Sequence, residues 1–148
     1  MKKSKIICPL AFALDEVGDK WTFLILRNAF YGERHFNGFV KSLGIARNIL
    51  TSRLEKMIQK GLLVPVETND KREIEYQLTK KAKDLAGPLI ALRLWAKKWN
   101  SELKFGGLEF DVNSNERIDH LFFKTKNGNI VEAKNVRVDL QGFNLISK

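Results

Sequence analysis

A chain of 148 residues, 44% of them hydrophobic, has the apolar material for one core of ordinary size, with or without an appendage, and this excludes wholesale disorder. Lysine and arginine number 26 against 17 acidic residues, a net charge of +9, which points to a polyanionic partner or an anionic membrane surface. The single cysteine, Cys8, excludes an intrachain disulfide and a cysteine-built zinc cluster.

The charge excess is uneven. Residues 32–61 carry six basic and two acidic side chains, whereas residues 62–82 and 105–148 are balanced. The basic opening Met1–Lys5 and the apolar stretch after it have the outline of a secretion signal, but Asp15, Glu16 and Asp19 end that stretch early. No uncharged run reaches the roughly 18 residues that span a bilayer. The expectation is therefore a soluble cytoplasmic protein that engages no membrane.

In chain order, Pro9 opens a helix to about Val17, ended by Gly18, since a missing N–H costs nothing at the first helical position. A second helix covers Lys20 to Tyr31, with Gly32 as its left-handed cap. A short third helix covers Phe36 to Leu43, and Gly44 makes a tight turn into a fourth from about Ala46 to Lys60. Leu50, Leu54, Met57 and Ile58 form the inward face of that helix, and Ile45 fills the angle before it. Leu62–Glu67 and Glu73–Leu78 read as two strands around a polar tip, Thr68–Arg72. Thr79 caps a long helix reaching about Glu102, which Pro88 should bend or divide near Asp84. Leu85, Leu89, Leu92, Ala96, Trp99 and Leu103 form a heptad seam on it, with Ile90, Leu94 and Trp95 alongside. So broad an apolar surface needs two packing partners, either both in this chain or one of them in a second subunit. Beyond Gly106-Gly107, Ile118–Lys126 and Ile130–Leu140 read as strands joined through Asn127-Gly128.

The fold class expected is α+β: a winged helix-turn-helix with flanking dimerisation helices in residues 1–104, and a C-terminal β-hairpin extension of unassigned role in residues 105–148. In such a fold the fourth helix enters the major groove, N-terminal end first. At about 100° per residue, Asn48, Ser52 and Glu55 point away from the core stripe, Thr51 flanks them, Ile49 lies at the edge and Arg47 leads. Asn pairs with adenine, Arg with guanine, and Thr offers a methyl to thymine. Phosphate contacts are expected from Arg34, His35, Lys71 and Arg72, and from Arg53, whose position equally suits a salt bridge to an acidic neighbour. Neither a nucleophile–base pair, a Gly-rich phosphate loop nor metal-ligand spacing is present, so the chain reads as no enzyme and as needing no cofactor.

Cys8–Leu14, Gly18–Arg27, His35-Phe-Asn37, Gly44–Leu54, Gly61-Leu62 and Glu75–Thr79 together resemble the HxlR-type transcriptional regulators over about residues 8 to 100. The resemblance implies a cytoplasmic winged-helix homodimer that binds double-stranded DNA and represses or activates genes, often nearby ones. It places the N-terminal segment and the long helix in the dimer interface, here Leu85, Leu89, Leu92, Trp95 and Trp99. The resemblance is compatible with a small-molecule or oxidant effector, which the sequence does not identify. In some relatives the cysteine at the position of Cys8 senses oxidants. Here Cys8 borders a helix N-terminus with Lys2, Lys3 and Lys5 nearby, features that favour thiol reactivity; plain packing is the other reading. Gly38 and Phe39 stand where the family usually has an acidic residue and Leu, which weakens the third helix; the wing tip lacks the usual prolines, and Ala82 replaces a common Gly. The tail resembles that of longer relatives in outline but has none of their cysteines, so no zinc site is expected there. The reading from another class is a winged-helix module for protein contacts, with a basic face that is merely solvated.

Overall fold

The computed structural model describes residues 8–70, 73–103, 109–118 and 122–136. The chain divides into two compact units, Met1–Leu92 and Arg93–Lys148.

The first unit opens with α1 (Pro9–Val17) and α2 (Lys20–Phe30). Pro9 stands at the start of α1, and the Cys8 carbonyl accepts from the Phe12 N–H at 3.0 Å. The Lys60 ammonium donates to the carbonyls of Asp15 and Glu16, the latter at 3.1 Å, so a cation sits on the free carbonyls of the last turn of α1. Lys81 adds a 2.5 Å ion pair to Glu16. These contacts hold one end of α1, while Leu10, Phe12 and Leu14 along it are exposed.

Asp19 caps α2 by accepting from the N–H groups of Trp21 at 3.1 Å and Thr22 at 3.0 Å, as well as from the Thr22 hydroxyl. Gly32, at φ +97°, turns the chain out of α2. α3 (Phe36–Leu43) and α4 (Arg47–Gln59) follow. The Gly38 substitution does not shorten α3. A Cβ at position 38 would fall 2.1 Å from Glu33 Oε2, and that carboxylate accepts from the N–H groups of Arg34 and His35 at 2.8 and 2.9 Å. The missing side chain makes room for a group that satisfies the backbone entering α3.

Ile25, Leu26, Phe39, Ile45, Leu50 and Leu54 are buried where α2, α3 and α4 meet. Asn28 is buried among them but not unpaired: its amide donates to Ser42 Oγ at 2.8 Å, and its carbonyl oxygen Oδ1 accepts from Arg27 Nε at 2.9 Å. β1 (Leu63–Glu67) and β2 (Ile74–Leu78) pair antiparallel, Leu63 opposite Leu78 and Glu67 opposite Ile74. A bridge between His35 and Glu75 adds the α2–α3 connection to the free side of β2.

Thr79 caps the next turn by accepting from Ala82 N–H at 3.2 Å, and its hydroxyl donates to the Gly61 carbonyl at 2.7 Å. The long helix expected from Thr79 to Glu102 is two helices, α5 (Lys80–Lys83) and α6 (Ala86–Trp99). The division falls at Asp84–Leu85, four residues before Pro88, whose ring would meet the carbonyl there and whose missing N–H leaves it without a helical partner. α6 ends at Trp99, before Glu102. No helix among the described residues is long and apolar enough to cross a membrane.

The second unit departs most from expectation. Among its described residues are two short hairpins, β3 (Glu109–Phe110) with β4 (Arg117–Ile118), and β5 (Phe123–Lys124) with β6 (Ile130–Val131). The first was not expected; the Asp111 carboxylate closes it by accepting from the N–H groups of Asn113 at 3.2 Å and Ser114 at 3.3 Å. The expected strand Ile118–Lys126 is thus divided between β4 and β5. β6 stops at Val131 because a 3₁₀ turn, Ala133–Asn135, follows; residues 137–140 of the expected second strand lie outside the described residues. The Asn127-Gly128 turn is formed, with Gly128 at φ +90° and Thr125 N–H donating to Asn129 at 2.8 Å.

Candidate nucleic-acid interface

Gly44 ends α3 at φ +61°, a left-handed conformation in which a side chain is strained, and donates to the Val40 carbonyl at 3.0 Å. Ile45 is buried at once and Ala46 caps α4, so the angle between α3 and α4 is held by packing on one side and the turn on the other. With Leu50, Leu54 and Met57 buried, Arg47, Asn48, Ile49, Thr51, Ser52 and Glu55 are exposed. The Thr51 hydroxyl donates to the Arg47 carbonyl at 3.0 Å, which engages its polar end with the helix. Arg47 lies over the Phe36 ring at 5.0 Å from its centroid and donates from Nη2 to Asn37 Oδ1 at 2.9 Å.

Arg53 lies beside the core face of α4 and forms an ion pair with Asp19 at 3.5 Å. Partial burial pushes the Asp19 carboxyl up, but the hydrogen bonds from the Thr22 side chain and N–H, the Arg53 charge and the Trp21 N–H together outweigh it and leave it below the ordinary carboxylate range. A carboxyl depressed on folding contributes stability that is complete above its unfolded value of about 3.9 and is lost as pH falls through the lower folded value. Asp19→Asn, which keeps a capping oxygen but no charge, is expected to flatten the loss of thermal stability below about pH 4. Asp19→Ala should cost about 1 kcal/mol at neutral pH. Melting temperatures between pH 2.5 and 6 check both.

Arg34 is exposed and its carbonyl accepts from Tyr76 N–H at 2.8 Å. The ring of His35 faces two carboxylates, Nε2 lying 3.8 Å from Glu73 and 3.7 Å from Glu75, so a phosphate at His35 would meet two like charges. Lys71 and Arg72 lie outside the described residues. Burial pushes the Tyr76 hydroxyl up, with the Glu55 charge adding to it.

The five residues of the expected dimer interface separate into two groups. Leu85 and Leu89 pack, partly buried, against the core of their own chain. Leu92, Trp95 and Trp99 are 51, 64 and 72% exposed, at spacings that share one side of α6. Cys8 is partly exposed at the N-cap of α1; Lys2, Lys3 and Lys5 lie outside the described residues. Sequence reasoning missed Asp19 as a cap, although an Asp directly before an apolar-periodic stretch is a standard signal. It also missed the Phe36–Asn37–Arg47 cluster, for which residues ten apart on two helices leave no local signal.

A helix-turn-helix whose second helix shows a polar, hydrogen-bonding face, followed by a two-stranded wing, defines the class of winged helix-turn-helix proteins. The chain matches the family model described as HxlR-like helix-turn-helix over residues 16–104 and belongs to that family. An uncharacterized HTH-type transcriptional regulator of Mycobacterium tuberculosis is 40% identical over 89 residues, 59% of this chain and 56% of that protein; the match spans little more than half the relative's length. The crystal structure of PA1607, a candidate transcription factor, superposes with a TM-score of 0.80 at 33% identity, covering 91% of this chain and 96% of that one. The redox regulator HypR in its oxidized form superposes with a TM-score of 0.57 at 25% identity, covering 63% of this chain and 97% of its own.

Proposed function

We propose that the protein is a cytoplasmic, sequence-specific DNA-binding transcriptional regulator that acts as a homodimer on a palindromic operator. The observation that carries this is the outward face of α4: Arg47, Asn48, Thr51 and Ser52 project from a helix whose entry is held by Gly44 and whose back is buried. Arg47 and Asn48 read bases, Thr51 and Ser52 contribute beside them, and Arg34, Lys71 and Arg72 contact the backbone. His35 faces the carboxylates of Glu73 and Glu75 and Arg53 pairs with Asp19, so neither is kept as a phosphate contact. Support for the dimer comes from the exposed Leu92, Trp95 and Trp99 on α6 and from Leu10, Phe12 and Leu14 on α1, large apolar groups that a monomer would leave in water. Residues 1–104 carry DNA binding and dimerisation, and residues 105–148 are an extension; PA1607 superposes over nearly its whole length. Cys8 is the candidate redox sensor in this scheme, an idea supported by the likeness to HypR.

Selection of duplexes from random DNA by the full chain, followed by titration at several salt concentrations, tests the proposal. A recovered palindrome preferred over scrambled DNA supports it. Equal binding to every duplex would refute it and favour the protein-contact module. Arg47→Ala and Asn48→Ala are each expected to cost about 1–3 kcal/mol on the recovered site and to relax preference at one base position. Unchanged selectivity would place base reading elsewhere.

A further inference from the structure

We infer that Asn37, with the ring of Phe36, is a positioning residue that sets the guanidinium of Arg47 before DNA arrives. The inference rests on the reading of α4 as the base-reading helix.

Arginine has many rotamers, and holding it in one is a cost that a base contact must otherwise bear. Here two restraints act on the free protein. The Phe36 ring lies under the guanidinium, with Cζ 5.0 Å from its centroid, and attracts the cation to this side of α3. Asn37 Oδ1 accepts from Nη2 at 2.9 Å, a directional bond that restrains the orientation of the fork. Both partners stand on α3 and Arg47 is the first residue of α4. The orientation of the fork is therefore tied to the angle that Gly44 and Ile45 set between the helices. A guanidinium carries five N–H donors; Asn37 occupies one, and the others are enough for two parallel bonds to guanine O6 and N7. Asn37 is exposed and not part of the core, so its removal spares the fold. It acts through Arg47, and its own amide reads no base.

The test combines the free protein with the wild-type-selected duplex. In the free protein, ¹⁵N relaxation at Arg47 Nε should report an ordered side chain that Asn37→Ala releases, with an unchanged melting temperature. On DNA, Asn37→Ala should lose about ten-fold in preference for the selected over a scrambled duplex, with an unchanged salt slope. It should add nothing in an Arg47→Ala background. Additive losses in the double variant would mean that Asn37 touches DNA itself, and would overturn the inference. So would an Arg47 side chain equally ordered in Asn37→Ala, or tighter specific binding by that variant, which would make Asn37 a competitor for the fork. A wild-type protein with no preference among duplexes overturns the base-reading role together with the DNA reading. That failure is recognised because Asn37→Ala then still releases Arg47 in the free protein.

Discussion

Replacing Leu92 and Trp99 together with glutamate is expected to give a folded monomer that has lost most of its operator affinity. Both side chains stand in solvent in the isolated chain, at 51 and 72% exposure, so placing charges there opens no cavity and buries no charge within the protomer. In a dimer the same charges would lie within an apolar contact and meet their counterparts across the two-fold axis. The expected readouts are a halved mass in sedimentation and a melting transition that no longer depends on protein concentration. Operator binding should weaken by about a hundred-fold or more, because the second half-site is no longer tethered to the first. Leu85 and Leu89 serve as the contrast. Each packs on the core of its own chain, so a charge there should unfold the protomer as well as dissociate it. A dimer that survives in the Leu92/Trp99 variant would move the interface off α6.

Phe39→Ala is expected to cost about 3–5 kcal/mol, the largest single-residue effect on stability in this fold. Phe39 is fully buried in the cluster shared with Ile25, Leu26 and Leu50, and truncation leaves a ring-sized void between α3 and its neighbours. Against the 5–15 kcal/mol of a typical domain, that loss would place much of the population in partly or fully unfolded states. The midpoint of urea denaturation reads it directly. Phe39→Leu, which restores the residue usual in the resembling family, should cost far less, since the shape is conserved over most of the volume. Because Phe39 also backs the helix pair that presents Arg47, the alanine variant should lose DNA affinity in step with stability. A fall in affinity without a fall in stability would point to a different role.

The helix-turn-helix was legible because its determinants are local. Pro9, Gly32, Gly44 and Gly61 punctuate the chain, and the apolar spacing between them places Ile45, Leu50, Leu54 and Met57 inward, where they are found. The extension was legible only at Asn127-Gly128, where the turn residues dictate the backbone. Ile118–Lys126 looked like one strand because alternation cannot register that pairing changes partner midway, from β3–β4 to β5–β6. The hairpin closed by Asp111 depends on a side chain accepting from two backbone N–H groups, which leaves little trace in a hydrophobic pattern.

Sequence alone determined the order of elements from α1 through the wing, the outward face of α4 and the family to which the chain belongs, since periodicity, turn residues and motif spacing act within a few residues. Tertiary structure decided what those side chains do once folded. Arg53 stood between phosphate and carboxylate in the sequence; the fold brings Asp19 within 3.5 Å of it. The apolar seam after Thr79 read as a single surface, yet Leu85 and Leu89 are partly buried whereas Leu92, Trp95 and Trp99 are exposed. Arg47 becomes a held fork because α3 carries Phe36 and Asn37 to it. In each case the deciding partner is distant along the chain, and such pairings follow from packing that no local pattern encodes.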